Sequence, residues 1–218
     1  SIDVGSNAIR QVIVEIDVNK YKRNPNSSHW KTLKKFRAPI RLGTDVFKSK
    51  EITPETLESL VEAFKSMASF HKKYGVRHVI CTATSALRDS KNQAFVVKHI
   101  KQKTGIQIEV ISGNKEGSLI RNAIVQSKII NKPQTLLIDI GGGSLELTSV
   151  INDEFKPSAS FPLGVVRLKQ LIEEKDFDLP DYIQTQINQF KYASTSKTYD
   201  MAIGTGGNFD ALSKFPNG

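Results

Sequence analysis

Two short segments carry the residue types that handle phosphate. IDVGSNA at residues 2–8 and IDIGGGS at residues 138–144 share an Asp-x-Gly core, and each closes one apolar run and opens another. Consecutive glycines leave backbone N–H groups unobstructed, and glycine accepts the positive φ angles that a tight loop demands. Several N–H groups converging on one point make a cradle for phosphate oxygens. Gly141, Gly142, Gly143 and Ser144 form one such loop; Gly5, Ser6 and Asn7 form the other, where Ser6 and Asn7 add side-chain donors. Asp3 and Asp139 stand just ahead of the loops. A carboxylate there repels phosphate, so its useful chemistry is to hold a divalent cation, directly or through water, or to orient a water molecule. One glycine turn is an ordinary hairpin. A second copy about 130 residues later signals two related halves.

The elements that must position these loops alternate between strand and helix. Strands are predicted on both sides of the first loop, and WKTLKKFRAPIRL (30–42) supplies a third. TPETLESLVEAFKSMASFHKKYG (53–75) predicts a helix, with Thr53 as cap, Pro54 at the first position and Gly75 as its stop. Leu57, Leu60, Val61, Phe64 and Met67 share one face of it. A buried strand follows in VRHVICTAT (76–84), then a helix around NQAFVVKHIKQKTG (92–105), a strand in IQIEVIS (106–112) and a helix in KEGSLIRNAIVQSKII (115–130). This order describes an α/β layer on a mixed sheet. NKPQT (131–135) interrupts it. The second half restarts with the glycine hairpin, a third strand in FKPSASFPLG (155–164), helices at 165–175 and 180–193, a strand in YDMAIGTGG (199–207) and a helix at 208–215.

Composition narrows the class. The chain has 218 residues with 39% hydrophobic content, enough for one large core or two small ones, and no stretch approaches the roughly 20 apolar residues that span a bilayer. No membrane partner is expected. The single cysteine, Cys81, lies in an apolar run, which excludes a disulfide framework and fits a reducing cytoplasm. His71, His78 and His99 lack metal-ligand spacing and read as structural. Both ends of the chain read as cut from something longer. A formal charge of +9 attracts polyanions, and seven Lys or Arg fall within residues 20–37, beside Trp30 and around an NPNSS turn. That stretch reads as a solvated hairpin or as an electrostatic guide for an anionic substrate. Nucleic acid is disfavoured, since no nucleic-acid-binding motif accompanies the charge.

The duplicated hairpins are similar to those of the actin, sugar-kinase and heat-shock-chaperone ATPase superfamily, and the wording resembles its exopolyphosphatase and guanosine pentaphosphatase (Ppx/GppA) branch. IDVGSNAIR, TATSALRDSKN, VISGNKEGSLIRNAI, LIDIGGGSLEL and SFPLGVVRL carry that resemblance, in the family's order. It implies an α/β protein of two actin-like (ribonuclease H-like) domains of duplicated βββαβα topology with an interdomain cleft. Domain I would be residues 1–131, with the first phosphate loop and a catalytic glutamate. Domain II would be residues 132–218, with the second loop, and truncated. The implied reaction releases terminal phosphate from polyphosphate or guanosine pentaphosphate with Mg2+. By resemblance, Glu116 orients or deprotonates the attacking water and Arg88 clamps substrate phosphate; Asp139 and Glu146 face magnesium, with Asp3 in reserve. A homodimer is compatible with this reading.

Blander roles exist for each side chain. Glu116 suits a first helical turn by its charge alone, Arg88 and Asp89 can form a surface pair, Glu146 alternates with Leu145 and Leu147 as a solvated strand residue does, and Arg167 can simply start a helix. Two positions depart from the family pattern. Ala8 removes one hydroxyl donor from the first loop, and Lys115 puts a positive charge beside Glu116, which would lower its pKa. The alternatives are a non-catalytic sensor of phosphate chains or of the alarmone nucleotide, and an ATP-dependent kinase or ATPase, for which AIGTGGNFDAL (202–212) resembles an adenosine-binding element.

Overall fold

The computed structural model describes residues 1–23, 29–156, 158–173, 177–193 and 198–212. In the first half, β1 (Ile2–Val4) and β2 (Ile9–Ile16) pair antiparallel from Val4 and Ile9 outward, leaving Gly5–Ala8 as a four-residue loop. Alternation decides the faces: Ile9, Gln11 and Ile13 are buried, while Arg10 and Val14 are exposed. α1 (Val18–Arg23) follows, then β3 (Trp30–Ala38) on the far side of β2 and α2 (Leu42–Ser49). α3 (Pro54–Lys73) begins where Thr53 Oγ1 accepts from the Thr56 N–H at 3.3 Å. β4 (Cys81–Ala83) runs parallel to β1. α4 (Ser85–Asp89), α5 (Gln93–Thr104) and β5 (Glu109–Val110) complete a sheet of order β3-β2-β1-β4-β5. Leu60, Phe64 and Met67 of α3 are fully buried in one core with Ile2, Val4 and Ile9, each side chain contributing about 1.5–3 kcal/mol.

The second half repeats the plan. After α6 (Gly113–Ser127), β6 (Gln134–Ile140) and β7 (Leu145–Ile151) pair antiparallel along their whole length around the loop Gly141–Ser144. A two-residue turn with positive φ at Asn152 (51°) and Asp153 (66°) leads to β8 (Glu154–Phe155), as suits the twist of a tight hairpin. β9 (Ala159–Phe161) pairs the other end of β7, and α7 (Val165–Ile172) and α8 (Leu179–Ala193) follow. β10 (Met201–Thr205) lies parallel to β6 as β4 does to β1, and α9 (Gly207–Leu212) ends the described chain. No helix among the described residues is long and apolar enough to cross a membrane.

Several expectations change. The predicted third strand stops at Ala38, and its tail begins α2 instead. The basic stretch begins inside α1, while the NPNSS turn lies outside the described residues, as do 213–215 of the last predicted helix. β4 is short because β1 offers only Ile2–Val4 for pairing; upstream, Val79 and Ile80 are 42% and 68% exposed rather than buried. The third strand of the second half splits into β8 and β9, which take successive stretches of β7. The chain divides into compact units Ser1–Val110 and Ile111–Gly218, ahead of the boundary drawn at 131/132. Ile120 and Ile124 of α6 pack with Leu137 and Val150, which ties α6 and Glu116 to the second unit.

Candidate functional site

Both glycine loops close in the same way. Gly5 N–H donates to the Ala8 carbonyl at 3.1 Å, and Gly141 N–H to the Ser144 carbonyl at 2.9 Å. In the second loop every glycine carbonyl is engaged by the start of α7. Val165 N–H donates to Gly141 O (3.1 Å), Val166 and Arg167 N–H to Gly142 O (2.8 and 3.2 Å), and Arg167 Nε to Gly143 O (2.9 Å). The carbonyls therefore point into the protein, and the N–H groups of Gly142, Gly143 and Ser144 make no hydrogen bond among the described residues. That is the arrangement an anion cradle needs. It also requires glycine at 164, where a Cβ would sit 2.3 Å from Gly143 backbone. The first loop uses α2 likewise: Gly43 N–H donates to Ser6 O at 2.8 Å.

Side chains around the first loop differ from expectation. The Ser6 hydroxyl is buried and lies 2.9 Å from the Ser85 hydroxyl, so it anchors α4 rather than facing solvent. Asn7 is exposed. Ala8 is closed off from water, as is its counterpart Ser144. Arg88 follows Ser85 by one helical turn, is 25% exposed, and has Nε 3.9 Å from Asp89 Oδ1. Asp3 belongs to this unit and faces Arg10, its cross-strand neighbour, at 3.4 Å. Cys81 is buried, which pushes its thiol up to about 12, and reads as a core residue. His71 bonds Gln11 at 2.7 Å, and burial lowers its imidazole from the ordinary value. At the other end of β2, Ile16, Trp30, His29, Lys20 and Lys31 line an open cavity of ≈480 Å3, so part of the basic stretch borders a groove remote from the loop along the strand.

In the second unit the equivalent cross-strand pair is Asp139 with Glu146, two carboxylates on one face of the sheet. Together with Gly117, Ile120, Arg121, Leu137 and Thr148 they line a cavity of ≈10 Å3, the space of about one water molecule. Glu146 is 3% exposed, so it is no solvated strand residue; Ser160 Oγ donates to its Oε1 at 2.8 Å. Thr205 Oγ1 donates to Asp139 Oδ1 at 2.5 Å. The turn after β10 packs on the end of β6: Asn208 Nδ2 donates to Ile140 O at 2.7 Å, and Gly206 has φ +95°, where a Cβ would lie 2.9 Å from that carbonyl. Glu116 stands half-buried in the first turn of α6, whose cap Ser112 accepts from Lys115 N–H at 3.3 Å. Lys115 is exposed, and a solvated ammonium acts weakly on its neighbours.

The structure thus gathers Asp139 and Glu146 in one cavity of the second unit, carries Glu116 on a helix packed against the same sheet, and keeps Asp3 with Arg10. Arg121, Ser160 and Thr205 were not singled out from sequence. Arg121 had a signal, because Gly113, Gly117 and Arg121 repeat every four residues along one side of α6. Among the described residues no group of three or more His, Cys, Asp or Glu is placed to hold a metal. Two oxygen donors still suit Mg2+, which keeps several waters or substrate oxygens of its own.

A bifunctional 3-dehydroquinate synthase/phosphatase of Fusobacterium nucleatum is 34% identical over 173 residues, covering 78% of this chain and 26% of that protein. Exopolyphosphatase 1 of Mycobacterium tuberculosis is 28% identical over 167 residues, 77% of this chain and 46% of the relative. The chain therefore spans between a quarter and a half of these curated relatives. The crystal structure of an exopolyphosphatase from Cytophaga hutchinsonii superimposes with a TM-score of 0.83 at 27% identity, over 97% of this chain and 67% of that one. The expected actin-like, two-sheet fold stands. The model of the Ppx/GppA phosphatase family matches residues 23–202, more than four-fifths of the sequence, and the chain belongs to that family.

Proposed function

We propose that this chain contributes the phosphate-handling core of a hydrolase that releases terminal phosphate from inorganic polyphosphate or guanosine pentaphosphate. One observation carries the reading: the carbonyls of Gly141, Gly142 and Gly143 are all bound by α7 and Arg167, which leaves the adjoining N–H groups for phosphate oxygens. Water attacks the terminal phosphorus, the phosphoanhydride P–O bond breaks, and inorganic phosphate leaves. Glu116 accepts the proton of the attacking water, and general-base help of this kind is worth roughly 10²–10⁴ in rate. Arg88 stabilises the charge on the transferring oxygens with paired hydrogen bonds. Asp139 and Glu146 would hold Mg2+, which supplies charge neutralisation at the phosphates. Likeness to exopolyphosphatases supports the polyphosphate substrate, and a single buried thiol supports a cytoplasmic setting.

The test is phosphate release from polyphosphate and from guanosine pentaphosphate in parallel, with and without Mg2+, comparing wild type with Glu116→Gln. A loss of at least about a hundredfold with substrate binding retained is expected. Binding without phosphate release by the wild type would instead make the protein a sensor.

A further inference from the structure

α6 approaches the sheet along two glycines. A Cβ at Gly113 would lie 2.8 Å from both Cβ and Oγ of Ser160, and a Cβ at Gly117 would lie 2.8 Å from Ser158 Oγ. Contacts that close forbid any side chain on this edge of the helix, so the two serines set how near α6 comes. Each serine also reaches across to β7. Ser160 donates to Glu146 Oε1 at 2.8 Å, and Ser158 Oγ lies 2.6 Å from Thr148 Oγ1. Glu146 and Thr148 are successive same-face residues of β7, both buried and both lining the cavity with Asp139. One row of hydroxyls thus touches both the helix that carries Glu116 and the strand that carries Glu146.

From this geometry we infer that Ser160 is a positioning residue for the hydrolysis site, in two ways. Its hydroxyl fixes the Glu146 carboxylate, and its Cβ under Gly113 sets the height of α6 and hence the placement of Glu116. The inference rests on the reading that Asp139 and Glu146 hold a divalent cation. Ser160 is itself exposed, so its removal leaves no buried void and acts chiefly through Glu146 and α6. Partners that orient a metal-binding carboxylate are typically worth about ten- to a hundredfold in metal affinity.

The experiment uses the full-length protein and two readouts: Mn2+ affinity by electron paramagnetic resonance without substrate, and kcat and KM for phosphate release. Ser160→Ala is expected to weaken Mn2+ binding about tenfold, Glu146→Ala to weaken it further, and the double variant to bind no more weakly than Glu146→Ala alone. Gly113→Ala is expected to lower kcat with little change in KM. Adding Ser160→Gly to it removes the clashing atoms, and is expected to recover the thermal stability that Gly113→Ala loses while weakening Mn2+ binding as Ser160→Ala does. Wild-type Mn2+ affinity in Ser160→Ala, with Glu146→Ala impaired, overturns the inference. Wild-type affinity in Glu146→Ala overturns the underlying reading, and this inference with it. Unchanged kcat in Gly113→Ala overturns the helix-height half.

Discussion

Ser6 and Ser85 hold their hydroxyl oxygens 2.9 Å apart inside the first unit, both out of contact with water. The bond joins a loop between β1 and β2 to the first turn of α4, across 79 residues of sequence. Arg88 lies one turn further along the helix that this bond anchors. Replacing Ser85 by alanine strands the Ser6 hydroxyl, a loss of about 1–3 kcal/mol in urea denaturation. Ser6→Ala with Ser85→Ala should cost less than the two single losses added together. Full additivity would show that the hydroxyls act separately.

Gly164 has no room for a methyl group, since the nearest obstacles are main-chain atoms of Gly143 and Ser144 at 2.3 Å. Gly164→Ala is expected to cost about 3 kcal/mol and to lower phosphate affinity, because the loop can relieve the clash only by releasing α7. Isothermal titration with inorganic phosphate, beside a thermal melt, checks both effects.

His71 gives stability a pH dependence. Burial lowers its imidazole from 6.5, so the folded state binds its proton less readily than the unfolded chain does. The stabilisation is complete above 6.5 and is lost as pH falls through the lowered folded value. Between pH 7 and pH 5 the wild type should lose more stability than His71→Gln. Equal losses would assign the acid sensitivity to other groups.

Burial pushes the Cys81 thiol from 9.0 up to about 12, so its neutral form is stabilised below pH 9 and the benefit is lost as pH rises toward 12. At pH 8 iodoacetamide should label this thiol only as fast as the protein unfolds, which urea titration of the labelling rate will reveal.

The glycine hairpins were legible because their signal is local: an apolar run, a glycine turn and resumed alternation are all visible in adjacent residues. α3 was legible for the same reason, through Thr53, Pro54 and a stripe of Leu60, Phe64 and Met67. α2 was not. Its start, Arg41-Leu42-Gly43, continues an apolar strand by eye, and what turns it into a helix is the Gly43 bond to Ser6, which no window of sequence contains. β4 was read too long because its length depends on how many residues β1 offers. In the second unit, Asp139 could be named from its place before the glycines and Glu146 from the family resemblance, but the cavity they share required the register of β6 on β7. Ser160 emerged only because β9 pairs with β7 opposite Glu146.

The cross-strand pairs beside the two glycine loops differ in charge. Arg10 stands where the second repeat has Glu146, so its pair with Asp3 is formally neutral, whereas Asp139 and Glu146 keep an excess of negative charge even after Arg121 is counted. The proposed cation is favoured by charge at the second pair and not at the first. The duplicated frame therefore predicts that of these two hairpins only the second takes the proposed divalent ion, and Arg10→Glu is the single change that would give both pairs the same charge.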